Sequence, residues 1–266
     1  MTKKDTFQLG STKIPDSLKS EAYRDLAKPA VQHIGRWIGA VCGKLDKYSE
    51  RMELENQAAT ETIKKHFEQI PEKYRTNPTP QITLSAEQGF LLSTGQPNLQ
   101  ELFINIIKSS CDTRTASGVL PSFVTIIQQL TPDEAKILKY CYICSIRNSQ
   151  LPILQIQVQN LKDGKPEDGY TIYLDHFTNI GHLAKCEHPE NAAMYITNLE
   201  RLGTLTTHYD KAYVNKTNYL LLEQSNEAIN IRNHIISLGQ HPSFQEGMIK
   251  MTPFGLGLCK ACSMDN

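Results

Sequence analysis

The sequence predicts a mainly α protein with a smaller β component: an N-terminal helical unit, then a winged-helix-like C-terminal unit with an inserted β-hairpin. Three observations predict it. Between Pro97 and Cys144 the apolar residues recur at helical spacing. From Leu154 the period drops to two, which is the signature of strands. The C-terminal order then reads helix, hairpin, helix, helix, strand, long helix, strand, helix. Without the hairpin and the long helix, that order resembles a winged-helix unit, with 190–202 in the recognition-helix place and 205–251 as an enlarged wing; the analogy concerns fold alone. The divisions expected are a flexible leader over 1–20, a helical domain over 21–130 and a winged-helix-like α+β domain over 131–266.

Met1 to Ser20 is rich in Lys, Thr and Ser and has too few apolar residues to order itself. A helical pattern follows over 21–45, with a bend expected at Pro29 because proline removes a backbone donor. Gly35, Gly39 and Gly43 are spaced by four and share one face, with Trp37, Ile38 and Val41 on the flanks. A glycine inside a helix costs about 1 kcal/mol against alanine. Three in register therefore ask for close approach of another surface: this protein's own core, a second copy or a membrane.

Residues 47–68 continue as a helix of alternating charge, and Pro71 to Pro80 reads as a connector. Ser85 to Leu92 suits a helix or a short extended piece. Leu99, Leu102, Phe103, Ile106 and Ile107 mark an amphipathic helix ending near Ser109-Ser110-Cys111-Asp112. Pro121 starts a second helix, carrying Phe123, Val124, Ile126, Ile127 and Leu130. Thr131-Pro132-Asp133-Glu134 is the sharpest local signal: a Thr cap, Pro at N1, and a Glu placed to close a capping box. That third helix runs to about Cys144 or Arg147.

In the hairpin, Leu154, Ile156 and Val158 alternate with Gln155, Gln157 and Gln159, and Tyr170, Ile172 and Leu174 answer them after a turn at Asp163-Gly164. Helices are expected over 178–185 and 190–202, the second with Met194, Ile196, Leu199 and Leu202 on its core side and Gly203 as its stop. Residues 205–213 read as extended, 220–238 as one helix capped by Gly239, 247–251 as extended, and Thr252-Pro253 as the start of a last helix to Cys262.

Composition excludes several classes. The 28 basic and 28 acidic residues cancel, so no overall field draws the chain to nucleic acid or to anionic lipid. Met1 to Pro15 lacks the apolar run of a secretory signal, and seven scattered cysteines suit a reducing cytosol better than a disulfide framework. The longest apolar stretch, 29–43, is broken by Gln32, His33 and Arg36, and Arg36 alone would cost about 2.5 to 3.5 kcal/mol at a bilayer centre. The expected location is cytoplasmic, with peripheral membrane contact open through the glycine row.

Candidate chemistry is sparse. Cys141, Cys144, Cys259 and Cys262 form two Cys-x-x-Cys pairs, but the gap between them is far too long for a zinc ribbon, and small buried thiols on helix faces simply pack. His182, Cys186 and His188 lack a fourth ligand nearby. Cys111 and Asp112 beside Ser109 and Ser110 are the one polar knot able to suggest nucleophilic chemistry, and a helix-ending loop explains them as well. No cofactor, metal or catalytic motif is assigned. On the helix 190–202, Glu190, Asn191, Thr197, Asn198, Glu200 and Arg201 offer little to phosphate, so nucleic acid is a disfavoured partner.

At Leu26-Ala27-Lys28-Pro29, Gly35, Gly39, Glu101-Leu102-Phe103, Ser109-Ser110, Pro121-Ser122-Phe123 and Leu130 to Lys136, the chain resembles the Abi-alpha, or abortive infection alpha, family of bacterial proteins. The likeness extends more loosely to Asn198 to Gly203 and to Thr252-Pro253-Phe254-Gly255, and it leaves out the hairpin and 209–245. The resemblance implies a cytoplasmic bacterial protein linked to phage defence, and it supplies no catalytic residues. The expectation is therefore a non-enzymatic effector or regulator acting through an unidentified protein partner or itself. Gly35, Gly39, Gly43 and Trp37 are its association surface, and Pro121, Phe123, Thr131, Pro132 and Glu134 are its structural motif. The alternative is a winged-helix nucleic-acid-binding regulator.

Overall fold

A computed structural model describes Lys65 and residues 67–264, all within the compact unit Gln57–Asn266. The leader, Trp37 and the glycine row Gly35, Gly39 and Gly43 lie outside the described residues. The protein is mainly helical with a smaller β part.

Prolines start most of the early helices, because a ring at N1 removes only a donor that has no helical partner. Thus α1 (Pro80–Leu92), α2 (Pro97–Ser110), α3 (Pro121–Ile127) and α4 (Pro132–Ile146) each open on one. The segment 85–92, which suited either state, is the end of α1. The apolar stripe of α2 is buried as expected: Phe103 and Ile106 are fully enclosed. Phe123 of α3 is likewise buried and meets Phe254 edge-on, ring centroids 5.2 Å apart. The face of α2 also buries Asn105 and Ser109. Their side chains donate to the carbonyls of Cys262 (2.9 Å) and Ala261 (2.7 Å), so α2 satisfies the last turn of the final helix, α9 (Pro253–Ala261).

The β part is β1 (Pro152–Gln159), a two-residue ladder β2 (Leu161–Lys162) and β3 (Lys165–Pro166), then β4 (Thr171–Phe177), β5 (Leu205–His208) and β6 (His241–Met251). The turn between β2 and β3 places Asp163 and Gly164 at φ 51° and 73°, the left-handed pair that a two-residue hairpin needs. The main sheet is antiparallel in the order β4-β1-β6-β5. Helices α5 (Ile180–Leu183) and α6 (Ala192–Arg201) lie between β4 and β5, and α7 (Thr217–Glu223) and α8 (Asn226–Ser237) between β5 and β6.

Several expectations change. The single helix over 220–238 is two, because Ser225 leaves the helix to cap α8, accepting the Ala228 amide. The strand expected over 247–251 begins at His241, since β1 pairs along its whole length with 241–248. Of 205–213, the named strand is only Leu205–His208, the part that pairs with β6. Met194, expected inward on α6, is 61 % exposed, whereas Ile196 and Leu199 are fully buried.

The alternating face expected of the hairpin holds on β1 for Leu154, Ile156 and Val158, but Tyr170 and Ile172, expected to answer them, are 57 % and 53 % exposed. With Phe177, Tyr219, Leu222, Ala228 and Ile235 the three β1 residues make one apolar cluster under α7 and α8. Gln155 and Gln157 are buried as well: Gln157 donates to Gln155 at 2.8 Å, and Gln155 to Asp175 at 3.4 Å. Burying an amide without such bonds would cost on the order of 1 to 3 kcal/mol, so this pairing keeps the strand buried on both faces. Among the described residues no helix is long and apolar enough to cross a membrane.

Candidate functional site

The end of β4 departs from regular pairing. Its register against β1 shifts twice, between Leu154 and Ile156 and between Ile156 and Gln157, and His176 takes φ 57°. Bulges re-aim side chains, and a left-handed non-glycine residue costs on the order of 1 kcal/mol unless its surroundings hold it. Here they hold it from several elements.

His176 Nδ1 lies 3.2 Å from Thr197 Oγ1 on α6; that hydroxyl donates to the Ala193 carbonyl, so its oxygen is left to accept. Nε2 lies 3.3 Å from Glu200 Oε2, also on α6, and 3.4 Å from Thr207 Oγ1 on β5. The Thr207 amide and hydroxyl both donate to Glu200 Oε1, at 2.6 and 2.7 Å. The ring of Tyr209 runs parallel to the imidazole, and its hydroxyl donates to Asp175 at 2.6 Å while accepting the His176 amide at 3.1 Å. Burial, and then the bond to Asp175, push the Tyr209 phenol above its usual range. Gly247 makes room for it: a Cβ there would stand 2.6 Å from the Tyr209 ring.

His176, the buried member of this cluster, forms part of the wall of a cavity of about 430 Å³. Leu174 and Phe177 of β4, Ala192 and Ala193 of α6, and Leu221 and Leu222 of α7 supply its apolar lining. His182, Glu190, Asn226 and Glu227 supply polar groups. The volume is in the range of small-ligand and side-chain pockets. Both ring nitrogens of His176 are engaged, so the cluster locks β4 onto α6 and β5 and shapes one wall.

The residues that stood out in the sequence lie elsewhere. Thr131 accepts the Glu134 amide at 3.2 Å and Glu134 Oε2 accepts the Thr131 amide at 2.6 Å, which completes the capping box with Pro132 at N1. Asp133 accepts the amides of Glu187 and His188, each at 2.9 Å, and the Lys136 ammonium at 2.8 Å. Burial alone would raise the Asp133 carboxyl, but these donors outweigh it and hold it below the usual carboxylate range. The box and its neighbour thus moor the loop before α6.

Cys111 is buried, and burial pushes its thiol up to about 11. Asp112 is forked by Arg114 at 2.5 to 3.1 Å, and that bond holds its carboxyl down. Ser110 donates to Ile107 O at 2.7 Å. The polar knot is therefore a helix terminus with its groups occupied. Cys141, Cys144, Cys259 and Cys262 are reduced and buried between α4 and α9, and burial drives the thiols of Cys141, Cys259 and Cys262 well above their usual range. Cys186 Sγ contacts the Asp133 carbonyl at 3.7 Å, while His182 lines the cavity and His188 pairs with Glu190. Among the described residues no group of three or more His, Cys, Asp or Glu side chains is placed to hold a metal ion.

His176, Glu200 and Tyr209 were not assembled by the sequence reading, because 31 and 33 residues separate the ring from Thr207 and Tyr209. The available signal was Asp175-His176, two polar residues interrupting the strand between Leu174 and Phe177.

No curated protein matches the chain. A solved structure of an uncharacterized protein from the hydrocarbon-degrading marine bacterium Alcanivorax borkumensis SK2 is similar at 16 % identity over 53 % of this chain and 92 % of that one, with a TM-score of 0.35. A likeness at that score carries no inference about fold or activity. The family model for abortive infection alpha matches residues 49–262, which include the helical centre, the capping box and the whole of the sheet, and the chain belongs to that family.

Proposed function

We propose that this member of an abortive-infection family acts as an effector or regulator by binding a partner protein or itself, without catalysis. The observation that carries this reading is apolar exposure beside the cavity. Leu221 in its lining is 61 % exposed, and Met194 and Leu183, next in sequence to the lining residues Ala193 and His182, are 61 % and 48 % exposed. An exposed apolar side chain in the lining of a concave site, as Leu221 is, marks an interaction surface more often than apolar residues scattered singly. The engagement of both His176 nitrogens supports a shaping role over proton transfer.

A winged-helix-like arrangement belongs to the same proposal. It is supported by the strand order β1-β6-β5 and by α6 leading straight into β5. Use of that arrangement on DNA is the weaker reading, because the one basic residue of α6, Arg201, donates its guanidinium to Asn198 and Gln129. The segment bearing Gly35, Gly39, Gly43 and Trp37 is proposed as a second association surface, for a partner, another copy or a membrane, in a cytoplasmic protein.

The test is phage challenge of a host carrying Leu221→Glu, Met194→Glu or Gly39→Leu, with folding checked by thermal melting. Loss of protection in stably folded Leu221→Glu or Met194→Glu protein is expected. Protection unchanged in all three would end the reading. Salt-sensitive retention on DNA, abolished by Arg201→Ala, would instead favour the nucleic-acid alternative.

A further inference from the structure

The cavity beside His176 has a charge that narrows what can enter it. Its lining includes the carboxylates of Glu190 and Glu227 and no lysine or arginine. Both sit in first turns, Glu190 ahead of α6 and Glu227 in α8. A helix N-terminus carries about half a positive charge, so two of them offset roughly half of the two carboxylates and leave the mouth close to one negative charge. The rest of the lining combines an apolar part, Leu174, Phe177, Leu221 and Leu222, with the uncharged polar Thr178, Asn179, Ser225 and Asn226 and the imidazoles of His176 and His182.

An anion is disfavoured by that balance, and a purely apolar group would leave Glu227 to be desolvated without a partner, whereas Glu190 already has His188 beside it. A cation on an apolar stem meets both requirements, since the methylenes of a long basic side chain bury against apolar walls while its head stays with the charges. A free small amine would leave Leu221, Met194 and Leu183 as exposed as they are now. A polypeptide carrying the cation would cover them. We propose that the cavity receives a lysine or arginine side chain presented by an apolar segment of a partner protein. This names the partner chemistry for the association reading above and rests on it.

The experiment uses the full chain and fluorescein-labelled Ser-Leu-Leu-Lys-Leu-Leu-Ser, with versions carrying norleucine or glutamate at the central position, and n-butylamine as competitor. Binding is read by fluorescence anisotropy at physiological ionic strength. The lysine peptide is expected to bind saturably, the norleucine peptide about tenfold more weakly or worse, and the glutamate peptide weakest of all. The double variant Glu190→Gln/Glu227→Gln should lose about tenfold in affinity for the lysine peptide and abolish its advantage over norleucine, with an unchanged melting temperature. Absence of binding, equal affinity for the three peptides, or indifference to the double variant would overturn the proposal. Displacement of the peptide by n-butylamine at comparable concentration would also overturn it, making the cavity a small-amine site. Phage challenge separates the two levels. Protection lost in Leu221→Glu but kept in Glu190→Gln/Glu227→Gln refutes the cation while the association reading stands, and protection kept in both, and in Met194→Glu and Gly39→Leu, refutes the association reading as well.

Discussion

Asn198 donates its side-chain amide to Glu134 Oε1 at 2.6 Å while the other oxygen of the same carboxylate takes the Thr131 amide. One buried carboxylate thus closes the start of α4 and fastens α6 to it.

Glu134→Ala should destabilise the protein by about 1 to 3 kcal/mol, because it removes the box and strands the Asn198 amide. Asn198→Ala should cost less. In a double-mutant cycle by denaturant unfolding the two losses should fall short of adding by about 0.5 kcal/mol or more. Strict additivity would mean that the bond does not couple the two helices.

Glu87 is buried in α1, and burial raises its carboxyl from 4.5 to about 7. The folded state therefore holds this proton more tightly than the unfolded state. Its contribution to stability is complete below pH 4.5 and is lost as pH rises from 4.5 to 7. Glu87→Gln should match the parent protein near pH 4 and exceed it above pH 7 by on the order of 1 kcal/mol, discounted for residual solvent contact. Thermal melts across that range decide it; a constant offset at every pH would contradict the assignment.

Gly255 begins α9 against the backbone of Thr204, where a Cβ would stand 1.9 Å from the carbonyl oxygen. That oxygen also accepts the Thr252 amide at 3.1 Å, so it has little freedom to retreat. Gly255→Ala should lower stability by about 2 to 4 kcal/mol, an overpacking penalty at the upper end because the obstacle is backbone. A melting temperature within error of the parent would show that the corner relaxes.

Cys141, Cys144, Cys259 and Cys262 should resist a thiol-exchange reagent at pH 8 in the folded protein and react together on unfolding, because they are buried and the thiolate is the reactive form. A chelator should leave the melting temperature unchanged. Rapid labelling of Cys141 under native conditions, or a chelator-induced drop, would contradict core packing.

His176→Leu should destabilise by about 1 to 3 kcal/mol, since Glu200 would lose its ring partner and the left-handed backbone would carry a branched side chain. Glu200→Gln, which keeps the Thr207 bonds through its carbonyl, should cost less. The reverse order by denaturant unfolding would place the weight of the cluster on Thr207.

Much of the local architecture was legible from residue order. Thr131, Pro132 and Glu134 form the box they spell, and Thr252-Pro253 starts α9, because caps and N1 prolines act within one helical turn. Ser225 was available to the same logic but stood inside a run that read as one helix. What breaks that run is the fit of Tyr219, Leu222 and Ala228 onto the sheet.

The candidate site was legible only in fragments. Glu200 appeared as one polar residue of α6 among several, and Asp175-His176 as an interruption of a strand. Their meeting depends on two register shifts in β4 and on β6 bringing Gly247 beneath Tyr209. Such long-range placements leave no periodic trace.

By itself the sequence determined the elements whose causes are local, namely the amphipathic stripe of α2, the capping box of α4 and the Asp163-Gly164 turn, and it pointed to the family through the first two. The tertiary structure alone decided that Glu134 reaches Asn198, that Gln155 and Gln157 of β1 are buried as a pair, that Met194 faces outward, and that His176 walls a cavity. The division is physical. Caps, turns and periodicity act over a few residues, whereas these contacts join positions that only the packed sheet and helices bring within hydrogen-bonding distance.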